Sequence, residues 1–112
     1  MKIAIPTTNG ALCAHFGHSS EFTLVDVDEN RETIAQTETV QAPEHEPGLL
    51  PRWLKENGVD LVIAGGMGRR AQSIFAEHGV QLLVGAPVAS PAELVNSYLK
   101  GSLQTGENLC DH

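Results

Sequence analysis

The stretch that decides the fold is VDLVIAGGMGRRAQSIFAEHGVQLLVGAP, residues 59–87. It begins and ends with apolar runs of the kind found in strands buried on both faces of a parallel sheet. Between the two runs, Ala71, Ile74 and Phe75 recur at helical spacing, and Gly79 ends the helix. Two strands joined through a helix pair in parallel with a right-handed crossover, so this stretch predicts an α/β fold.

The segments on either side of this unit predict two more helices. SPAELVNSYLKG (90–101) has a serine at the N-cap, a proline in the first turn, a glutamate that completes a capping box, and a terminal glycine. PGLLPRWLKENG (47–58) carries leucines and Trp53 at helical spacing and also ends at a glycine. Both helices therefore have recognisable ends as well as an apolar face.

The N-terminal third of the chain predicts strands. KIAI (2–5) is a short buried strand closed by Pro6. EFTLVDVD (21–28) alternates as a strand does, and ETIAQTETV (32–40) is rich in residues that favour strands. These two runs predict a hairpin whose second member is an edge strand. The predicted order is β-β-β-α-β-α-β-α, a mixed five-stranded sheet with three helices.

The length of 112 residues suits one domain with one core. We expect a single α/β domain over residues 1–101, followed by a tail at 102–112 that has no periodicity. The strand directions place the loops 6–20, 41–48 and 65–68 at the same end of the sheet, where ligands bind in open α/β folds. These loops carry thiol, imidazole and thioether donors: Cys13, His15, His18, His45 and Met67.

Composition limits the classes of partner. The formal charge is −7, from 14 acidic and 7 basic residues, and Arg69-Arg70 is the only basic pair. Neutralising phosphates requires clustered lysine and arginine, so we expect no nucleic-acid partner and no acidic membrane surface. No apolar run reaches the ~18 residues of a membrane span. No secretory signal is evident at the N-terminus, and we therefore expect a cytoplasmic protein.

A cysteine and two histidines in the first loop form the motif C-x-H-x-x-H at Cys13, His15 and His18. Thiolate and imidazole are ligands of zinc, copper and iron-sulfur clusters, and the short spacing lets one loop supply two of them. Histidines are also common in turns, so a loop held by hydrogen bonds is the alternative interpretation. His78, on the apolar face of its helix, is expected to be a capping or core histidine.

A second cysteine–histidine pair, Cys110 and His112, lies in the tail. Glu107 and Asp111 add negative charge that favours a cation there, whereas fraying of a terminus is the alternative. Eleven extended residues span roughly 36 Å, against ~17 Å for a five-residue strand. The tail therefore reaches either the loop end of the sheet or a neighbouring subunit, which leaves a homodimer as one of the options.

A glycine-rich turn follows the first buried strand of the opening stretch and begins a helix; it comprises Gly65, Gly66, Met67 and Gly68. Its backbone N–H groups suit an anion at the positive end of the helix. Arg69 and Arg70 lie in the first turn, where cations oppose the helix dipole, and a bound anion would relieve that conflict. The alternative is a tight turn followed by two solvated arginines.

Several stretches occur in an order that is specific as a set: KIAIPTTNG, HFGHSSEFTLVDVDE, EHEPGLLPRWLKENGVDLVIAGGMG, GVQLLVGA and GENLCDH. Together they resemble the dinitrogenase iron–molybdenum cofactor biosynthesis family over essentially the whole chain. The resemblance implies a ribonuclease H-like α/β fold. It also implies a protein that binds or carries iron-molybdenum cofactor or iron-sulfur precursors during nitrogenase assembly. Many relatives have no assigned role, so the resemblance supports metallocluster binding more strongly than nitrogen fixation.

The family motifs carry over to His15-Phe16-Gly17 and to the turn at 65–68. The histidine of the HFG motif is the family's candidate ligand, so the resemblance gives His15 additional weight. The other donors suggest a subgroup with a richer ligand set: Cys13, His18, His45, Cys110 and His112.

A ribonuclease H-like fold also suggests a nuclease as an alternative. Two-metal hydrolysis requires several carboxylates near the centre of the sheet. The first strand carries none, and Asp26 and Asp28 lie toward the hairpin, away from the loops. A Cys13–His15 nucleophile pair lacks an evident third group to orient it. We therefore expect no enzymatic activity.

The leading hypothesis is a small carrier of an iron-sulfur or iron-molybdenum-type cluster that works with metallocofactor assembly proteins. His15, with Cys13, His18 or His45, would bind iron. The glycine-rich turn and the two arginines after it would hold the negative charge of the cluster. The alternatives are a regulatory protein that binds one zinc or other transition-metal ion, and an interaction module whose histidines only form hydrogen bonds.

Overall fold

The chain forms a mixed sheet with helices on both faces. The computed structural model describes residues 1–8, 10–12, 21–30, 32–43 and 49–103. Its elements in chain order are β1 (Lys2–Thr8), β2 (Ala11–Leu12), β3 (Glu21–Asp28), β4 (Thr33–Gln41), α1 (Leu49–Glu56), β5 (Leu61–Ile63), α2 (Arg69–Glu77), β6 (Gln81–Leu83) and α3 (Pro91–Leu99). The predicted α/β class and the three predicted helices are confirmed. The predicted count of five strands is wrong, since the described ranges contain six.

The sheet combines an antiparallel part with a parallel part. Its strand order is β4-β3-β1-β5-β6, and β2 pairs with β1 outside this path. β3 runs antiparallel to both β1 and β4, whereas β1, β5 and β6 run parallel to one another. The five predicted strands therefore have the predicted directions, and β4 is an edge strand as expected.

The sixth strand, β2, lies in a segment predicted as loop. β1 continues to Thr8, and Thr8 pairs with Ala11. This register leaves Asn9-Gly10 between the strands, and Gly10 has a φ of 81°. An Asn-Gly pair between two short strands is a strong signal for a two-residue hairpin, because such turns require positive φ.

Pro6 does not end β1, contrary to the prediction. Proline lacks an N–H donor and is normally excluded from central strands. The ladder between β1 and β5 is formed at Ile3 and Ala4, so Pro6 lies beyond it. On the other side, Pro6 is paired with Phe22 in the antiparallel ladder. The strand can therefore continue toward the hairpin.

Two hydrophobic cores cover the two faces of the sheet, and neighbouring residues of one strand contribute to different cores. The first core cluster lies under α1 and α2; its buried members are Ala4, Phe22, Leu24, Leu50, Leu54, Val59, Val62, Ala64, Met67, Phe75 and Val80. The second core cluster lies under α3; its buried members are Ile3, Ile5, Leu12, Val25, Val27, Leu61, Ile63, Ala86, Leu94 and Val95. The predicted alternation of β3 is confirmed, because Phe22 and Leu24 lie on one face and Val25 and Val27 on the other.

The helix ends follow the sequence signals closely. The Ser90 hydroxyl accepts a hydrogen bond from the Glu93 N–H at 3.3 Å, as an N-cap does. Gly101, just after α3, has a φ of 73°, and Gly79, just after α2, has a φ of 74°. Both conformations favour glycine and stop a helix.

β6 differs from its prediction as a fully buried strand. Gln81 is exposed, and Leu82 and Leu83 are only half-buried. β6 is the last strand in the order and has β5 as its only neighbour in the described sheet. Its apolar side chains therefore cover the edge of the sheet rather than its centre.

The carboxyl ends of β1, β4, β5 and β6 meet at one end of the sheet, which we call the rim. β3, which runs the other way, begins at the rim, where Glu21 is paired with Thr7 and with Gln41. The described strand ends thus converge as the sequence predicts. None of the helices in the described ranges has the length and apolarity of a transmembrane helix.

Candidate functional site

Six of the predicted metal ligands lie outside the described residues: Cys13, His15, His18, His45, Cys110 and His112. Their roles therefore stay predictions. The described chain leads directly to two of these segments at the rim. Leu12 and Glu21 border residues 13–20, and Pro43 precedes residues 44–48. Within the ranges that the structure describes, no three His, Cys, Asp or Glu side chains form a group that could hold a metal ion.

The end of β2 is fixed against the start of α3. The Leu12 N–H donates a hydrogen bond of 3.0 Å to the carbonyl of Ala89, which directly precedes the N-cap Ser90. The Leu12 side chain is buried in the second core cluster. The residue before Cys13 is therefore held by both main chain and side chain. The Asn9-Gly10 pair is a sequence signal for the hairpin that ends at Leu12, but no local pattern indicates the bond to Ala89.

The glycine-rich turn at 65–68 begins from main chain that is bonded to the end of β6. The Ala64 N–H donates to the Leu83 carbonyl at 2.8 Å, and the Ala86 N–H donates back to the Ala64 carbonyl at 3.0 Å. The Gly85 N–H donates to the Gly65 carbonyl at 2.6 Å. These bonds extend the parallel pairing past the strand ends, so the turn starts from a rigid position at the rim.

Met67 holds the same turn to the protein interior. Its side chain is only 1% exposed and packs in the first core cluster. Its carbonyl accepts a hydrogen bond of 2.8 Å from the Gln72 amide nitrogen, one turn into α2. The thioether is thus part of the core, and Met67 contributes only its main chain to the rim. The prediction that Met67 is one of the donors in the rim loops is therefore wrong for its side chain.

Gly68 and the two arginines form the start of α2. Gly68 is the N-cap, with φ of −66° and ψ of 155°, and it provides no side-chain cap. α2 has no acidic residue in its first turn, and the side chains of Arg69 and Arg70 are exposed. Positive charge therefore lies at the positive end of the helix dipole, as the sequence predicts, and this arrangement favours a nearby anion.

The family model described as dinitrogenase iron-molybdenum cofactor matches residues 1–101. The chain belongs to this family. An uncharacterized protein of Methanocaldococcus jannaschii, MJ0580, is 31% identical over 112 residues, which cover 96% of this chain and 92% of that protein. The family resemblance inferred from the sequence motifs is therefore confirmed.

Solved structures of similar proteins have the same fold. The crystal structure of PH0822 gives a TM-score of 0.88 at 29% identity, with 96% of each chain covered. The apo form of the orange protein from Desulfovibrio gigas gives a TM-score of 0.72 at 17% identity, with 96% of this chain and 93% of that chain covered. At this lower identity the likeness shows the fold alone.

The range matched by the dinitrogenase iron-molybdenum cofactor family model includes all the rim segments and ends before the tail. It contains the β1–β2 hairpin, residues 13–20 and 44–48, and the turn at 65–68. Residues 102–112, with Cys110 and His112, lie beyond the match. The match to the family model therefore does not bear on the second cysteine–histidine pair.

Proposed function

We propose that this member of the dinitrogenase iron-molybdenum cofactor family is a small, non-enzymatic carrier of an iron-sulfur or iron-molybdenum-type cluster. It would receive the cluster from one metallocofactor assembly protein and deliver it to another. The observation that carries the proposal is the meeting, at one rim, of the chain ends that lead into residues 13–20, residues 44–48 and the glycine-rich turn. Family membership supports the same conclusion.

The donor types at the rim suit such a cargo. Iron in clusters takes thiolate ligands and, at some positions, imidazole. Cys13 and His15, two residues apart after the anchored Leu12, would supply these ligands, with His18 and His45 as further donors. A partial set of protein ligands suits a carrier, because the cargo must also be released.

The positive charge at the start of α2 suits the negative charge of the proposed cluster. Clusters with thiolate and sulfide ligands carry net negative charge, which a helix N-terminus and exposed arginines attract. Arg69 and Arg70 follow the turn directly, and the turn is bonded to the end of β6. These residues would position the cluster without forming bonds to the metal.

We further propose that the fold is ribonuclease H-like and that the protein performs no hydrolysis. The antiparallel hairpin followed by two parallel strand–helix units supports the fold assignment. Asp26 is paired with Lys2 and Asp28 ends β3, so both carboxylates lie at the end of the sheet opposite the rim. This placement supports binding at the rim rather than two-metal catalysis.

Anaerobic reconstitution of the full chain with ferrous iron and sulfide tests the carrier proposal. We expect the purified protein to retain iron and acid-labile sulfide in comparable amounts and to show charge-transfer absorbance in the visible range. About one zinc per chain and no sulfide would instead establish the mononuclear metal-binding alternative. Retention of neither metal would contradict both.

The variant Gly68→Ser tests cluster binding at the turn separately from folding. The backbone of Gly68 suits any residue, and apart from its two neighbours in the chain no described residue has an atom within 4 Å of a Cβ built there. Serine is also a good N-cap, so Gly68→Ser should leave the free energy of unfolding unchanged or raise it by a few tenths of a kcal/mol. Iron retention should fall, because the new side chain occupies space that the cluster would use.

Urea unfolding, monitored by the fluorescence of Trp53, the only tryptophan, measures the free energy of unfolding of Gly68→Ser. Iron and sulfide analysis after reconstitution measures how much iron the variant retains. Unchanged iron retention in a stable Gly68→Ser protein would remove the turn from the proposed site.

A further inference from the structure

A groove runs along one side of α3, away from the glycine-rich turn. Its volume is about 310 Å³. Glu93, Leu94 and Ser97 of α3 form one wall, and Pro87 and Ala89, from the segment after β6, form the other. Most of this lining is apolar. The groove therefore suits a segment of chain with at least one apolar side chain.

The chain itself turns into this groove after α3. Gly101 reverses its direction, and the N–H groups of Ser102 and Leu103 both donate to the Ser97 carbonyl, at 2.8 and 3.1 Å. Ser102 and Leu103 line the end of the groove, and Leu103 packs against the second core cluster. The described chain thus ends at Leu103, inside the lining of the groove and after the reversal at Gly101.

The other end of the groove reaches the rim. Ala89, which lines it, accepts the hydrogen bond from Leu12, the residue before Cys13. α3 has nine residues and is ~13 Å long. An extended chain covers ~3.3 Å per residue, so Cys110, seven residues after Leu103, is up to ~23 Å away along the tail. The tail is therefore long enough to follow the groove to the rim.

We propose that residues 104–112 dock in the α3 groove, antiparallel to α3, and bring Cys110 and His112 to the rim beside Cys13. Leu109 is the only aliphatic residue of this segment and would pack against Pro87, Ala89 and Leu94. The use of Cys110 and His112 as additional ligands rests on the proposed carrier function, whereas docking of the tail does not.

Amide hydrogen exchange of the metal-free full chain tests the docking. We expect the amides of residues 105–111 to exchange about tenfold more slowly in the unmodified protein than in Ser97→Arg or Pro87→Arg. Each variant places a long charged side chain on one wall of the groove. Ser97→Arg keeps the carbonyl to which the reversed chain is bonded, and Pro87 lies on the opposite wall, so the two variants affect folding differently.

Two matched variants control for the added charge. Asn96→Arg is the neighbouring exposed position on α3, and Val88→Arg is the neighbouring position beside Pro87, at 67% exposed. Neither residue lines the groove, so the amides of residues 105–111 should exchange as slowly in both variants as in the unmodified protein. Equal exchange of residues 105–111 in all five proteins would overturn the proposal. Protection that rises with protein concentration would assign the groove to a second copy and also overturn it.

Thiol oxidation measures whether the docked tail reaches the rim. In the metal-free protein, diamide removes the two thiol hydrogens of Cys13 and Cys110 and joins their sulfur atoms. Disulfide formation within one chain should be about tenfold slower in Ser97→Arg than in Asn96→Arg, because undocking lowers the effective concentration of one thiol near the other. Equal rates would show that the groove does not deliver Cys110 to the rim. Since no metal is present, these results are independent of whether the protein carries a cluster.

Discussion

Replacing Phe75 with alanine should lower the free energy of unfolding by about 3–5 kcal/mol. Phe75 is fully buried in the first core cluster and is the only buried residue of α2. Its removal deletes the main contact between α2 and the sheet and leaves a cavity that the surrounding strands cannot close. Typical domains are stable by about 5–15 kcal/mol, so the variant would lose a large part of its stability.

Urea unfolding measured by far-UV circular dichroism checks this expectation, with Ile74→Ala as the matched control. Ile74 is adjacent on α2 and only half-buried, so the same kind of truncation there should cost less than half as much. A loss below about 1 kcal/mol in Phe75→Ala would show that α2 is held by other contacts. The result also bears on the site, because the first turn of α2 carries Arg69 and Arg70.

Replacing His15 with alanine should reduce the affinity for iron in the reconstituted protein at least tenfold. Loss of residues that merely support metal ligands costs about 10–100-fold in affinity, so loss of a ligand should cost no less. Cys13→Ala should have an effect of the same kind, because its thiolate would bind the same iron. Iron and sulfide content after removal of unbound metal, and competition with a chelator, provide the measurements.

His78→Ala is the matched control for His15→Ala. His78 is half-buried at the C-cap of α2, at the end of the sheet opposite the rim, and its main-chain N–H donates to the carbonyls of Ile74 and Phe75. Alanine keeps those bonds, so cluster binding should be unchanged. If His15→Ala and His78→Ala retain equal amounts of iron, the rim histidine is not a ligand and the carrier proposal loses its main donor.

The main elements of the fold could be predicted because each one is marked by local signals. Ser90 and Gly101 bound α3 by side-chain capping and by positive φ, which depend on a few adjacent residues. The alternation in β3 predicted which residues enter which core. Strand directions follow from the connections, and these directions predict that the loops meet at the rim.

The errors concern features that depend on the rest of the sheet. The sequence predicts that Pro6 ends β1, but the effect of a proline depends on how far the neighbouring ladder extends. The apolar run of β6 predicts a fully buried strand, but burial depends on whether a further strand lies beside it. The bond between Leu12 and Ala89 joins segments far apart in sequence, so no local pattern predicts it.

The candidate site could be predicted only as a set of residue types at one end of the sheet. The sequence indicated the glycine-rich turn and the two arginines, and the structure places them at the rim. The sequence did not indicate that the side chain of Met67 belongs to the core, because a thioether suits both metal binding and close packing. The groove beside α3 was also not predicted, since it forms between segments that meet only in three dimensions.

The central position of β1 has a consequence for synthesis on the ribosome. β1 is translated first, and its antiparallel partner β3 follows soon after, but its parallel partner β5 ends at Ile63. At about 5–20 residues per second, the 52 residues that separate them (9–60) take about 3–10 s to translate. During that interval an early sheet of β1, β3 and β4 would expose an unpaired strand edge, which favours association with other nascent chains. Chaperone binding to this family member should therefore be strongest before β5 leaves the ribosome.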